Sequence, residues 1–364
     1  MVKEQRTIGL SCELIIHPGV TLVEILEDRE MPQKELAIRT GMTEKHVSTI
    51  VNGTKPISVA FAKKLEYALG IEAAFWINLQ ANYDREILEF EELNNISEEE
   101  VSVLKNLKEV VLNWSERGWI NHDDNPASIV LDLRRLLNIS NLLDIPNLGY
   151  SAAYRAQVRN NRVDPFVLFA WQRMCELLTQ DIKIADVIDI EKLRARIPVI
   201  KKAMFLNSNL IQKRLENIFS ECGIAFKIVI NFKGAPVQGF IKRTEDEKLI
   251  LCMTIRGGFA DLFWFTLFHE IAHIINGDVK NRFIDFNSVS NDAESKADKI
   301  ARNTLIPLNV YKQFISGGDY SLSAIREFAK QNDIEPFIVI GRLMKDEIIG
   351  WNCYSAERLM YKWA

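Results

Sequence analysis

Phe265-Thr-Leu-Phe-His-Glu-Ile-Ala-His-Ile-Ile-Asn-Gly277 is the stretch that decides how this chain is read. Inside it His269, Glu270 and His273 stand in the H-E-x-x-H spacing. On a helix, residues i and i+4 lie one turn apart on the same face, so both imidazoles can reach one metal ion. Glu270 sits one residue round the helix from the first histidine. Its carboxylate then lies beside the metal's open position, where it can take a proton from water. Phe265, Leu267, Phe268, Ile271, Ile274 and Ile275 are apolar, as a buried helix requires, and Gly277 suits the position just past a helix end. The chain has five histidines, and two fall here with a glutamate between them. Two imidazoles and a carboxylate on an apolar helix are costly without a partner, which argues against a plain core helix.

The spacing is that of zinc peptidases. Two histidines leave a catalytic zinc one ligand short, and no further histidine follows His273. A carboxylate must complete the set, and Asp278, Asp285, Asp292, Glu294 and Asp298 are the candidates. Helical geometry separates them. Ala293–Ala301 reads as a second helix with Glu294, Ala297, Asp298 and Ala301 on one face. Its alanines allow close approach to the first helix. Glu294 follows His273 by 21 residues, enough for the chain to turn back. Ahead of these helices, Ala225–Ile230, Val237–Lys242 and Lys248–Ile255 are strand-like, with Gly234, Gly239 and the 243–247 run as turns. They predict a short antiparallel sheet whose edge suits an extended peptide.

Phe265–Gly277, with Glu294-x-x-Ala297-Asp298-x-x-Ala301-x-x-x-Leu305-Ile306-Pro307, resembles the ImmA/IrrE metallopeptidases over about 210–345. Glu294-x-x-x-Asp298 is similar to the gluzincin pattern, in which the glutamate is a ligand and the aspartate holds a histidine in one tautomer. The resemblance implies zinc on His269, His273 and Glu294, Glu270 as general base, Asp298 behind a histidine, and a cognate repressor as the protein cleaved.

The first 85 residues read differently. Short helices are predicted over residues 20–82: one over about 20–29, a second opened by Pro32, and a third over Glu44–Val51 capped by Thr43, with Gly41 in the turn between the last two. Val47 and Ile50 face inward. Thr43, Glu44, Lys45, His46, Ser48 and Thr49 then present polar side chains suited to a DNA groove. Lys34, Arg39, Lys45, Lys55, Lys63 and Lys64 outnumber Glu35 and Glu44, a local stripe suited to phosphates. His17-Pro-Gly-Val20, Gln33-Lys-Glu-Leu-Ala37, Gly41, Ser48-Thr-Ile50, Asn52-Gly53 and Phe75-Trp76 resemble the HigA-type antitoxins among Cro-type repressors. That resemblance, over about residues 14–85, implies operator binding by Gln33, Lys34, Thr43, Glu44, Lys45, His46, Ser48, Thr49 and Lys55. It makes His17 a packing or capping residue.

The remaining features bound these readings. The chain has 364 residues, 48% of them hydrophobic and 26% charged, and a net charge of −4. That balance is ordinary for a globular protein, and any pull on DNA must be local. Five scattered cysteines without a C-x-x-C indicate neither disulfide framework nor cysteine zinc site, which suits the cytoplasm. No signal peptide or membrane span is read. Between 86 and 207 no chemistry is legible. Ser97 and Glu100 form a capping box for a helix running to about Arg117, Trp114 and Trp119 pack, and helices follow at about 125–138, 164–180, 189–203 and 208–221. Asn160, Asn161 and Pro165 mark a loop. This region could position a substrate, make a homodimer or join two modules. Residues 321–349 carry a second, weaker helix-turn-helix cadence, read as helical packing.

The expected architecture is mainly α, with a helix-turn-helix domain over 1–85, a helical middle over 86–207, and a small α+β zincin-like domain over 208–364. The expected function is a DNA-binding regulator that carries a zinc endopeptidase acting on a repressor or antitoxin-like protein. The rival is a non-enzymatic repressor or antitoxin whose metal-site domain is a sensor or a scaffold.

Overall fold

The computed structural model describes residues 15–121, 125–148, 163–185, 187–243, 248–278 and 291–362. The protein is mainly helical, and its chain divides into two compact units. One comprises Met1–Val101 and Asn125–Leu131, the other Ser102–Asp124 and Asp132–Ala364.

The first unit begins with α1, Pro18–Asp28, followed by α2, Gln33–Thr40, and α3, Glu44–Val51. Then come α4, Val59–Leu69, and α5, Ala73–Asn94. Leu22, Leu36, Val47, Ile50, Phe61, Leu65 and Trp76 form its core. Each start has a local cause. His17 caps α1, its Nδ1 accepting from Gly19 N–H at 2.9 Å, which makes it the capping residue anticipated. Burial pushes the His17 pKa down against the pull of Asp84. Gly19 is needed by close approach: a Cβ there would come within 2.8 Å of the Val51 carbonyl. The expected boundary after residue 85 falls inside α5.

The capping box forms, with Ser97 Oγ accepting from Glu100 N–H at 3.2 Å. It opens only α6, Glu98–Ser102. A 3-10 turn over Val103–Lys105 interrupts the expected continuous helix, and α7, Lys108–Glu116, resumes it. The interruption coincides with the change of unit. Asn106, in the break, donates to Asp164 at 2.5 Å. Trp114 and Trp119 pack edge to face, 5.9 Å apart.

Next are α8, Pro126–Leu137, then α9, Pro165–Thr179, α10, Ile190–Lys202, and α11, Ser208–Ser220. Pro165 is not in a loop. It opens α9 at the position where a missing N–H costs nothing, and Asp164 caps the N–H groups of Phe166 and Val167. Asn160 and Asn161 lie outside the described residues. Leu193, Ile200 and Met204 belong to the same hydrophobic core as the sheet and the helix that carries His269, so the later helices of the 86–207 region pack with them.

The strands are β1, Ile224–Ile228, β2, Gly239–Arg243, and β3, Leu249–Met253, in the order β1-β3-β2. The sheet is mixed, a correction to the antiparallel expectation. β1 runs parallel to β3 with Ile224 opposite Leu249, while β2 pairs antiparallel with β3. The central strand, Leu-Ile-Leu-Cys-Met, is apolar and buried throughout, as a strand covered on both faces must be. Trp171 of α9 packs its ring edge on Phe240 of β2 and donates to the Ile230 carbonyl at 2.8 Å. The chain then enters α12, Ala260–Asn276, and α13, Asn291–Leu305. It ends with α14, Leu308–Gly317, α15, Leu322–Gln331, and α16, Pro336–Lys345. The last two belong to the core around α12, consistent with a packing role for the 321–349 cadence. No helix among the described residues is long and apolar enough to cross a membrane.

Candidate metal centre and nucleic-acid face

α12 is the apolar helix anticipated from Phe265–Gly277, extended by a turn and a half at its start. Gly277 ends it in the left-handed region, φ 74°. α13 lies against it through Ala297 and Ala301, both fully buried, and that closeness lets a carboxylate from one helix reach imidazoles on the other.

His269 Nε2 and His273 Nε2 are 3.0 Å apart. Glu294 places one carboxylate oxygen 3.2 Å from the first and the other 3.4 Å from the second. These are the only His, Cys, Asp and Glu side chains that cluster in this way among the described residues. Behind each ring stands a second carboxylate. Asp298 accepts from His269 Nδ1 at 2.9 Å and Asp278 from His273 Nδ1 at 3.1 Å. With Nδ1–H donated to these carboxylates, each ring turns an Nε2 lone pair inward, toward the other Nε2 and Glu294. Two lone pairs and a carboxylate aimed at one point repel unless a cation lies between them. A four-coordinate zinc with Zn–N of about 2.0–2.1 Å separates its ligands by roughly 3.3 Å. The spacing of the three donors fits that ion. Glu294 leaves 49% of its side chain in solvent, so the cluster is open to solvent on that side.

Glu270 is not one of the three converging donors. Burial, reinforced by the charge of Glu294, pushes its pKa up to about 8. Gly239, the first residue of β2, lies against it: a Cβ there would come within 2.6 Å of Glu270 Cγ. The strand thus passes directly over the carboxylate, and no described strand pairs with the outer edge of β2.

Among the other carboxylates considered as third ligand, Asp278 and Asp298 stand behind the histidines. Asp292 is exposed and outside the cluster, and Asp285 lies outside the described residues. The role of Asp278 was not legible from helix spacing. Gly277 turns the chain back, Asp278 N–H bonds to the His273 carbonyl at 3.1 Å, and the side chain returns to the ring. A glycine-aspartate pair just past the second histidine was the available signal.

In the first unit, α2 and α3 form a helix-turn-helix around Gly41, φ 64°. Thr43 caps α3, accepting from His46 N–H at 3.1 Å. Gln33, Lys34, Thr43, Glu44, Lys45 and Lys55 are exposed. His46, Ser48 and Thr49 are half-buried, which corrects the expectation of a fully presented face. The His46 ring packs edge-on against Phe61 at 5.4 Å. Thr49 donates to the His46 carbonyl at 2.7 Å, and Ser48 accepts from Asn52 at 3.2 Å. The cationic stripe narrows too. Arg39 pairs with Glu35 at 2.6 Å and Lys63 pairs with Glu66. Lys34, Lys45 and Lys55 have no carboxylate partner among the described residues.

No family model matches the chain, and no curated protein matches it. Solved structures are similar to a part of it, two of them antidote proteins. An addiction module antidote protein of a HigA family from Coxiella burnetii is 26% identical, over 27% of this chain and 91% of its own, with a TM-score of 0.19. A proposed antidote protein of a plasmid maintenance system from Nostoc punctiforme is 28% identical, over 22% of this chain and 97% of its own, with a TM-score of 0.20.

Proposed function

We propose that the chain is a zinc-dependent endopeptidase with a DNA-binding head, acting on a repressor or antitoxin-like protein. The observation that carries this reading is the set His269, His273 and Glu294, with both histidines backed by carboxylates and Glu270 beside them. A structural metal site needs its ligands alone. A fourth acidic group, enclosed next to the ligands but outside them, has a use in hydrolysis.

Zinc bound there would supply a Lewis acid that polarises a peptide carbonyl and acidifies water. Glu270, as carboxylate, takes a proton from the attacking water onto one oxygen and returns it to the leaving amine nitrogen. A cation at the three donors opposes the burial that raises its pKa, so the carboxylate is available at neutral pH. Asp298 and Asp278 keep both Nε2 atoms unprotonated. The edge of β2 that no described strand covers suits an extended substrate, and Gly239 lets that backbone run close over Glu270. In this reading the mixed sheet with α12 and α13 is a zincin-like, gluzincin-type domain.

The head would hold duplex DNA through α3, with Lys45 at its exposed start and Lys34 and Lys55 on phosphates. The decisive experiment incubates the pure protein with proteins expressed from neighbouring genes, with and without chelator, beside Glu270→Gln. The proposal expects one of them to be cleaved by the wild type only. If the variant cleaves that protein normally, Glu270 is not the base; if the wild type cleaves none of them, the module is a metal-dependent binding surface instead.

A further inference from the structure

The second unit contains a cavity of about 490 Å³ that the peptidase reading does not use. It lies beside α12 and α13, with Asp298 in its wall. Its volume falls within the roughly 300–1,000 Å³ of small-molecule sites. Phe259, Leu262, Phe265, Leu305, Ile306 and Ile338 make the walls apolar. Closed cores do not keep a void of this size, because unfilled apolar volume costs stability.

The charges around the cavity are unequal in what they have to do. Asp261 is held by Arg358 at 3.0 Å. Asp298 is engaged with His269, and Asp346, just behind the wall, with Arg342 at 2.7 Å. Every nearby carboxylate therefore has a partner. The cations do not. Arg302, half-buried in the wall, reaches Asp346 only at 4.0 Å. Lys345 lines the cavity from an exposed position and has no carboxylate partner among the described residues. Arg358 stacks on Phe259, 3.8 Å from the ring centroid, and its Nε is buried without a hydrogen-bond partner among the described residues. An unpaired buried donor costs free energy unless something accepts from it.

We propose that this cavity binds a linear amphiphilic carboxylate, its chain among Leu262, Phe265 and Ile338 and its head group toward Arg302 and Lys345. Apolar walls with a surplus of positive charge select that class over a neutral lipid, which would not balance the surplus, and over a sugar or nucleotide, which would leave the walls unanswered. The inference is independent of the peptidase reading, because binding needs neither zinc nor a protein substrate.

The test titrates dodecanoate, below its micelle concentration, into the full-length chain by calorimetry, with dodecan-1-ol as the neutral twin. Saturable binding of one dodecanoate per chain is expected. The double variant Arg302→Gln, Lys345→Gln should weaken it by about tenfold or more and leave the alcohol unchanged. Leu262→Trp, at a half-buried wall position, should remove both by filling the cavity. Absence of saturable binding to the wild type would overturn the proposal. Equal affinity for acid and alcohol, or unchanged binding in either variant with a normal thermal transition, would overturn it as well.

Discussion

Asp298 and His269 are joined across two helices by a 2.9 Å bond from imidazole Nδ1 to carboxylate, and the bond faces away from the converging donors. It fixes which ring nitrogen is free for a metal. Losing such a partner typically lowers metal affinity by about 10- to 100-fold. Asp298→Ala should therefore weaken zinc by that order, measured by competition with a chelating dye, with an unchanged circular dichroism spectrum. An affinity equal to wild type would make the contact incidental.

Gly239 and Glu270 share the space of one side chain. Alanine at 239 suits a strand better than glycine, yet it must displace the carboxylate. Gly239→Ala should destabilise the fold by about 1–3 kcal/mol, the usual cost of overpacking. The penalty should shrink when Glu270 is also alanine, so a double-mutant cycle in chemical denaturation should give a clear coupling. Additive effects of the two substitutions would show that the close contact is not real.

Some of this architecture was legible in the sequence and some was not. α3 could be placed to the residue because Thr43 and Asn52 bracket a short apolar pattern. α12 showed through its apolar run and Gly277. Glu294 and Asp298 stood out because alanines on their face signalled a close helix, and the structure places that face against the histidines. The parallel pairing of β1 with β3 was hidden, since strand partners are chosen by tertiary packing and not by neighbouring sequence. Asn106, in the interruption, bonds to Asp164, which lies 58 residues away and could not be paired with it from the sequence. The partial burial of His46 depends on Phe61, which belongs to the next helix.

Glu270 also gives the metal-free protein a pH signature. Its folded pKa of about 8 lies above the ordinary carboxylate value, so the folded chain binds this proton more tightly than the unfolded one. The resulting stability is fully present below the ordinary value and is lost as pH rises through about 8. Thermal melts of chelator-treated wild type should therefore fall between pH 5 and about 9 relative to Glu270→Gln, which has no proton to lose there. Parallel profiles would mean that the carboxylate is not shifted.

On the DNA side, Lys45→Ala should reduce discrimination between promoter and random duplex. Lys55→Ala should weaken both alike and lower the salt slope by about one. Ser48 and Thr49, being half-buried and internally bonded, should matter less than Lys45. Fluorescence anisotropy at several salt concentrations measures all three. Equal binding of promoter and random DNA by the wild type would remove the repressor head from the account.

The central claim is that His269, His273 and Glu294 form one zinc site with Glu270 beside it and not in it. Zinc content of the purified chain, by mass spectrometry of the metal, tests it most directly. About one zinc per chain is predicted for the wild type and for Glu270→Gln, with a large loss in Glu294→Ala. Undiminished zinc in Glu294→Ala, or loss of zinc in Glu270→Gln with the fold intact, would contradict it.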